Sequence, residues 1–335
     1  MILDGGFELE NGIKVVGANG VAVENMTARN YVGNGFFWTG VTGYRASYLT
    51  AYRNGDYGIY AFDSVKGQFD HSYASGHPDS GFYIGQCYPC DAVITDVIAE
   101  HSQMGYSGTN AGGNLLIVSS IWRHNRIGIV PNTLDSEEEP PQREVVIAGN
   151  LVYDNNDPDA PNAKSSDFDI LFGSGITVVG GVGDVVERNR VEGHELFGIV
   201  IAPNPGLQEN FWPSQRNQVR DNVVRGSGMA DLAIALFSPD DGNCFAGNDF
   251  GTSAPANLEQ LMPCEGAGSG DPEAGAADVE AVLGATHPKG KPWQESPIPP
   301  DQPNMPDAAT AEPRPATDVP MRVDLASITV PDPQG

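Results

Sequence analysis

Residues 71–90 read HSYASGHPDSGFYIGQCYPC. Gly81 and Phe82 in this stretch belong to a series: Gly12-Ile13, Gly35-Phe36, Gly58-Ile59, Gly81-Phe82, Gly105-Tyr106 and Gly128-Ile129 follow one another at 23, 23, 23, 24 and 23 residues. The series resumes at Gly175-Ile176 and Gly198-Ile199, again 23 apart, and Asp231-Leu232 is a weaker last member. The 47 residues from 128 to 175 fit one coil lengthened by two insertions, 133–144 and 156–173. A period held this steadily marks a repeat architecture.

Each repeat has the same internal order. A β-rich run such as Val21-Ala22-Val23, Ala92-Val93-Ile94 or Val145-Val146-Ile147 comes first, a second apolar pair follows, and a polar turn precedes the Gly-apolar strand. Runs of three to five residues are too short for helices. A unit of this size cannot bury its own apolar face, so it must stack on its neighbours. Stacking through strand hydrogen bonds sets equivalent residues about 4.8 Å apart. The expected fold is all-β: a single-stranded right-handed parallel β-helix, a solenoid of about 23-residue coils.

Composition agrees and excludes several function classes. Glycine (41) and proline (26) are abundant, and 40% of the 335 residues are hydrophobic, enough for a core. The net charge of −26 repels phosphate backbones, so nucleic acid is not an expected partner. It also disfavours a polyanionic sugar unless a cation bridges the two. No apolar run approaches the roughly 18 residues that a membrane helix needs. The opening MILDGGFELE lacks the basic residues and apolar core of a signal peptide. Because the first column glycine is already Gly12, the chain starts inside a coil, and upstream residues are expected to be missing.

The repeat orders side chains into columns. The residue after each column glycine points inward, and the next points outward by alternation: Phe37, Tyr60, Tyr83, Ser107 and Val130. Two places before the glycine lie Asp56, Asp79, Gln103 and Arg126; four places before it lie Asn54, His77, His101, His124 and His194, with Asn155 read at the turn of the insertion-bearing coil. That last column reads first as a structural ladder, since His can replace Asn as both donor and acceptor. The alternative is a row of imidazoles for proton transfer or metal binding.

Asp56 and Asp79 are the candidate catalytic groups. Carboxylates on adjacent rungs, about 5 Å apart, would split their pKa values, act as an acid–nucleophile pair, or share a Ca²⁺ ion. Arg126 is the third candidate, to neutralise a substrate carboxylate or take an α-proton. Phe37, Tyr60 and Tyr83 suit the apolar faces of sugar rings. His77 and Gln103 border the same groove and join them as substrate-binding candidates. Insertions 133–144 and 203–216 leave the same corner and are expected to wall the groove, with Phe211 and Trp212 as sugar contacts. The acidic loop 154–169 could hold Ca²⁺, although its spacing is not that of an EF-hand; a solvated loop is the plainer reading, and no metal site is assigned.

Four cysteines complete the inventory. A lone Cys87-x-x-Cys90 cannot make a tetrahedral zinc site and is read as a disulfide. Cys244 and Cys264 are expected to bridge, pinning a short helical cap (Ala256 to Met262) over the last coil. Disulfides imply an oxidising, extracellular or periplasmic setting. The expected organisation is a β-helix over 1–250, a cap over 251–264, and a flexible Pro/Ala/Gly/Asp-rich tail over 265–335, in which 321–331 would be a strand or a docking motif. A monomer is expected.

The phrases ILDG (2–5), GVAVENMTARN (20–30), RHNRIGIV (123–130) and VVERNRVEGHELFGIVI (185–201) resemble the repeats of pectate-lyase-like parallel β-helix proteins over residues 2 to about 250. The resemblance implies the fold and, among functions, polysaccharide lyases, hydrolases, epimerases or non-catalytic binding, adhesive and surface modules. Gly76-His77 with Phe82-Tyr83-Ile84-Gly85 resembles the His-Gly turn of polygalacturonases, but the paired-Asp and Arg-x-Lys motifs of that family are missing. His77-Pro78-Asp79 is similar, in scrambled order, to the Asp-Pro-His motif of alginate epimerases. Neither carries a mechanism over. A polysaccharide or glycan is the expected partner.

Overall fold

The computed structural model describes residues 1–163, 169–204, 209–235, 241–278, 282, 284–306, 308–310 and 319–333. Its body is a solenoid of three parallel sheets running the length of the stack. The opening stretch lies in a typical coil: Val65–Asp70 in one sheet (sheet C), Tyr73–Ser75 in the next (sheet A), Ser80–Gly85 in the third (sheet B). Sheets A and B have ten strands each and sheet C nine.

The Gly-apolar column is in register from coil to coil. Ile59 pairs with Phe82, Phe82 with Tyr106, Tyr106 with Ile129, Ile129 with Ile176, Ile176 with Ile199, and Ile199 with Leu232. All seven of these side chains are fully buried. A buried residue of this size contributes about 1.5–3 kcal/mol, against about 0–1 for an exposed ion pair. The stripe, rather than the charged surface, therefore holds the stack together. Glycine precedes it because space is short: a Cβ on Gly58 would lie 2.5 Å from the Gly81 carbonyl oxygen.

Asparagine ladders satisfy the buried corners. Between sheets C and A, Asn150, Asn189, Asn222 and Asn248 each pass a side-chain amide bond of 2.9–3.0 Å to the next. The ladder ends on Glu259, whose carboxylate accepts from the Asn248 side chain at 2.8 Å. Glu259 belongs to a one-turn helix, Leu258–Leu261, within the expected cap. The Cys244–Cys264 bridge ties that cap to the last coil, and Cys87–Cys90 closes the other disulfide.

The ladder between sheets A and B corrects the sequence reading at two places. Asn54, His77, Asn155 and His194 occupy it, but in coils five and six it holds Ser102 and Asn125, not His101 and His124. The cause is a corner one residue shorter. Ser75 pairs with Glu100, 25 residues on, whereas Phe82 pairs with Tyr106, only 24 on. His101 and His124 fall on the left-handed turn position, at φ 53° and 50°, where His is among the tolerated types. Their rings stack outside the ladder, 5.9 Å apart.

Beyond the cap, the described residues hold little regular structure: short 3₁₀ turns at Trp293–Glu295 and Leu325–Ser327. Segment 321–331 runs along the solenoid, the Met321 amide donating to Gln68 at 2.9 Å and Arg190 donating to the Pro331 carbonyl at 2.7 Å. No described helix is long and apolar enough to cross a membrane.

Candidate functional site

The outer face of sheet B carries the aromatic row. Phe37 pairs with Tyr60 and Tyr60 with Tyr83 across adjacent strands, so their rings lie 4.6 and 4.7 Å apart. Tyr57, which column counting missed, stacks on Tyr60 at 4.3 Å and meets Tyr83 edge-on at 5.1 Å. Lys14 lies 4.9 Å over Phe37. Such pairs each contribute about 0.5–1.5 kcal/mol beyond their burial, which makes the row a firm platform.

Three carboxyls bracket it. Asp79 sits one rung above Asp56, its amide donating to the Asp56 carbonyl at 3.3 Å. Burial, then the charge of Asp56, pushes the Asp79 pKa up to about 7, and hydrogen bonding from Tyr57 offsets only part of this. Asp79 Oδ1 is buried without a hydrogen-bond partner among the described residues. Asp56 is raised to about 6, by the protein around it and then by Glu10. It lines a cleft and remains exposed to solvent. Glu137, supplied by the insertion after residue 132, accepts from the Tyr83 hydroxyl through both oxygens at 2.5 and 2.7 Å. Burial raises it to about 7.

This arrangement places two carboxyls with pKa values near neutrality on adjacent rungs. Asp56 is raised to about 6 and Asp79 to about 7, and charge on Asp56 favours the protonated form of Asp79. Tyr57, Tyr60 and Tyr83 are all pushed well above their ordinary values, by burial first, so they remain donors at neutral pH. Such a site can protonate a leaving or bridging oxygen and accept a proton on the same face.

Other candidates from the sequence lie elsewhere. His77 is fully buried in the ladder, its ring nitrogens 3.2 and 3.3 Å from the Ala51 and Asn54 carbonyls, and burial lowers its pKa to about 4. It therefore lies inside the wall as a neutral rung. Arg126 has no exposed side-chain surface: it donates to Asp169 at 2.8 Å, to the Pro288 carbonyl at 2.5 Å, and stacks on Phe172 at 4.7 Å. Gln103 is likewise buried and accepts from the Ala163 amide at 2.9 Å. These two residues anchor surrounding loops to the solenoid.

The two insertions at the far corner are joined through Asp135, which accepts from the Trp212 indole at 3.0 Å and the Asn210 side chain at 2.8 Å. Those bonds hold its carboxyl down to about 2, the Asn210 side chain contributing most. Trp212 packs beside Gly180, outside the Phe37–Tyr83 row, and Phe211 is exposed. In the acidic loop, Asp157 pairs with His101, Asp159 with Lys291 and Asp169 with Arg126, each at 2.6–2.8 Å. Among the described residues, no group of three or more His, Cys, Asp or Glu is placed to hold a metal ion, and these three carboxylates are met by side chains of the chain itself. Residues 164–168 of that loop and 205–208 of the later insertion lie outside the described residues.

A cleft of about 940 Å³ opens beside Asp56. The solenoid forms one side with Gly55, Asp56 and Pro78; the acidic loop (161–163) and the C-terminal segment (289–294) form the other. The sequence signal for this second wall was the basic, Trp-containing run HPKGKPW at 287–293, set in an otherwise acidic tail.

A family model described as a right handed beta helix region matches residues 34–206. The chain belongs to the right-handed β-helix family. Among solved structures, this β-helix protein resembles the A-module of the mannuronan C-5 epimerase AlgE4 of Azotobacter vinelandii, with a TM-score of 0.51 and 13% identity over 69% of this chain and 60% of that one. A mutant form of the periplasmic alginate epimerase AlgG gives 0.50 and 14%, over 69% and 50%. The chain thus spans 60% or less of each, and at these identities the likeness is one of fold. No curated protein matches the sequence significantly.

Proposed function

We propose that this β-helix protein binds and processes carbohydrate outside the cytoplasm, using Asp79 and Asp56 as the acid–base pair and Phe37, Tyr57 and Tyr60 as the sugar platform, with Tyr83 buried beneath Glu137 as its support. One observation carries the reading. Two carboxyls raised to about 7 and about 6 stand on adjacent rungs beside a stacked aromatic row, and Asp56 opens onto a cleft. Perturbed acids in a cleft are kept at a cost that folding alone does not require. The two disulfides, and the presence of the periplasmic epimerase AlgG among the structural neighbours, support an extracellular or periplasmic setting.

The reaction class follows from what such a pair can do: hydrolysis with an acid and a base, or proton removal beside a sugar carboxyl as in elimination and epimerisation. A panel of polysaccharides separates these outcomes. Reducing ends report hydrolysis, ultraviolet absorbance reports unsaturated products, and uptake of solvent deuterium at a sugar carbon reports epimerisation. Asp79→Asn is expected to abolish whichever signal the wild type gives. A wild type that neither binds nor alters any member of the panel overturns the reading.

A non-catalytic carbohydrate-binding module is the second reading. The burial of Tyr83 beneath Glu137 favours it, because that contact leaves the far end of the row covered. Glycan binding with no product, unchanged in Asp79→Asn, would select it.

A further inference from the structure

Two of the five lysines of this chain fall within three residues of each other, in a tail whose residues 265–335 hold 12 acidic side chains. The segment carrying them is fixed at both ends by arginines of the solenoid. Arg126 donates to the Pro288 carbonyl and Arg53 to the Ser296 carbonyl, both at 2.5 Å. Between these points the Gly290 amide donates to Asn162 at 3.1 Å, the Lys291 ammonium meets Asp159 at 2.6 Å, and the Trp293 ring lies 5.4 Å from Phe7.

The solenoid leaves room for this strap. A Cβ on Gly55 would come within 3.0 Å of the Trp293 ring, and one on Gly76 within 2.5 Å of the Ser296 side chain. The strap does not close on Asp56, however; a cleft of about 940 Å³ remains, with Asp56 and Pro78 facing residues 289–294. Lys291 is committed to Asp159, whereas Lys289 lines the cleft with no ion pair among the described residues. In a protein of net charge −26, Lys289 is thereby a cation that an acidic ligand entering the cleft can meet.

We propose that residues 287–296 are a working wall of the binding site, in which Lys289 receives an acidic group of the sugar chain and Trp293 lines its path, the ligand lying between strap and solenoid. The inference rests on the carbohydrate reading above and adds a charge preference and a second wall to it. The arrangement also answers the charge problem of an acidic protein meeting an acidic ligand. The required cation comes from the tail, while the repeats supply the carboxyls.

The test uses the full chain and two probes: a uronic-acid oligosaccharide and its carboxyl-reduced, neutral counterpart. Titration calorimetry with wild type and Lys289→Ala is expected to show about tenfold weaker binding of the acidic probe, the scale of one lost charge contact of about 1.4 kcal/mol, and no change for the neutral one. Lys289 is exposed, so the variant keeps the fold; thermal unfolding checks this. Hydrogen exchange across 287–296 is expected to slow when the acidic probe binds wild type. Equal affinities for the acidic probe in both proteins, an equal loss for both probes, or exchange that the probe leaves unaltered would each overturn the strap inference alone. A wild type that binds neither probe removes the carbohydrate reading and this inference with it.

Discussion

Replacing Asp79 with Asn is expected to make the protein more stable, by an amount that grows with pH. The side chain is largely enclosed, Oδ1 has no partner, and the pKa moves from 3.8 to about 7, with burial as the main cause and the charge of Asp56 next. That displacement, from 3.8 to about 7, corresponds to about 4 kcal/mol. The sign follows from the direction of the shift. Below about pH 4 the carboxyl is neutral in both the folded and the unfolded chain, so it costs nothing. From about pH 4 to 7 only the unfolded chain ionises, and the folded state loses stability as pH rises; above about 7 the full penalty is in place. Asn is nearly isosteric, keeps an oxygen to accept from Tyr57, and carries no charge. The difference in unfolding free energy between Asp79→Asn and wild type should therefore climb from near zero at pH 4 toward about 4 kcal/mol at pH 8. Relaxation around Asp56 and residual water reduce that ceiling, and half of it is still resolved by urea denaturation at several pH values. A difference constant from pH 4 to 8, or a variant less stable than wild type at pH 8, refutes the reasoning. A gain in stability accompanied by loss of carbohydrate processing is the signature of a residue retained for function.

Three further outcomes are expected from the same geometry. Asp184→Asn should stabilise the protein by up to about 3 kcal/mol, appearing between pH 4 and 6, because burial raises this carboxyl to about 6 in a ladder continued by Asn217 and Asn243; no gain at pH 7 in a denaturation series counts against it. Asn150→Ala should cost about 3 kcal/mol, since it removes donors to Ile117 and Asn189 and strands the Trp122 indole, and a loss under about 1 kcal/mol would show that the ladder is not what secures that corner. Changing Cys244 and Cys264 together to Ser should lower stability by about 3 kcal/mol, the scale for opening a 20-residue loop, and speed hydrogen exchange across 253–264; unaltered exchange there would mean that Glu259 alone secures the cap.

The fold was legible because its signal is periodic. The Gly-apolar pairs predict the inward column and even its weakest member, Leu232, since every coil must fill the same narrow interior. Both disulfides were legible from position: Cys87 and Cys90 lie three residues apart at a coil corner, and Cys244 and Cys264 flank the segment that joins the last coil to its cap. Counting from one landmark failed where a corner changed length, which displaced His101 and His124 from the ladder. Arg126 could not be placed because its partners, Asp169 and the Pro288 carbonyl, lie 43 and 162 residues along the chain. Glu137 was hidden in an insertion read only as acidic, and Tyr57 one place outside the columns that were counted. The tail was read by composition, which averages a basic run of seven residues into an acidic background of 71.

The corner between sheets A and B is seven residues from Ser75 to Phe82 and six from Glu100 to Tyr106, yet the strands on either side stay in register. The three edges of the solenoid are therefore indexed separately, like the dials of a combination lock. Gain or loss of one codon at an edge turns one dial: Asp79 belongs to the longer setting, Gln103 and Arg126 to the shorter. The buried stripe, fixed inside the strands, does not feel the change. A lineage of such proteins can thus lengthen or shorten one turn, and shift the side chains it carries against the ladder, without refolding its core.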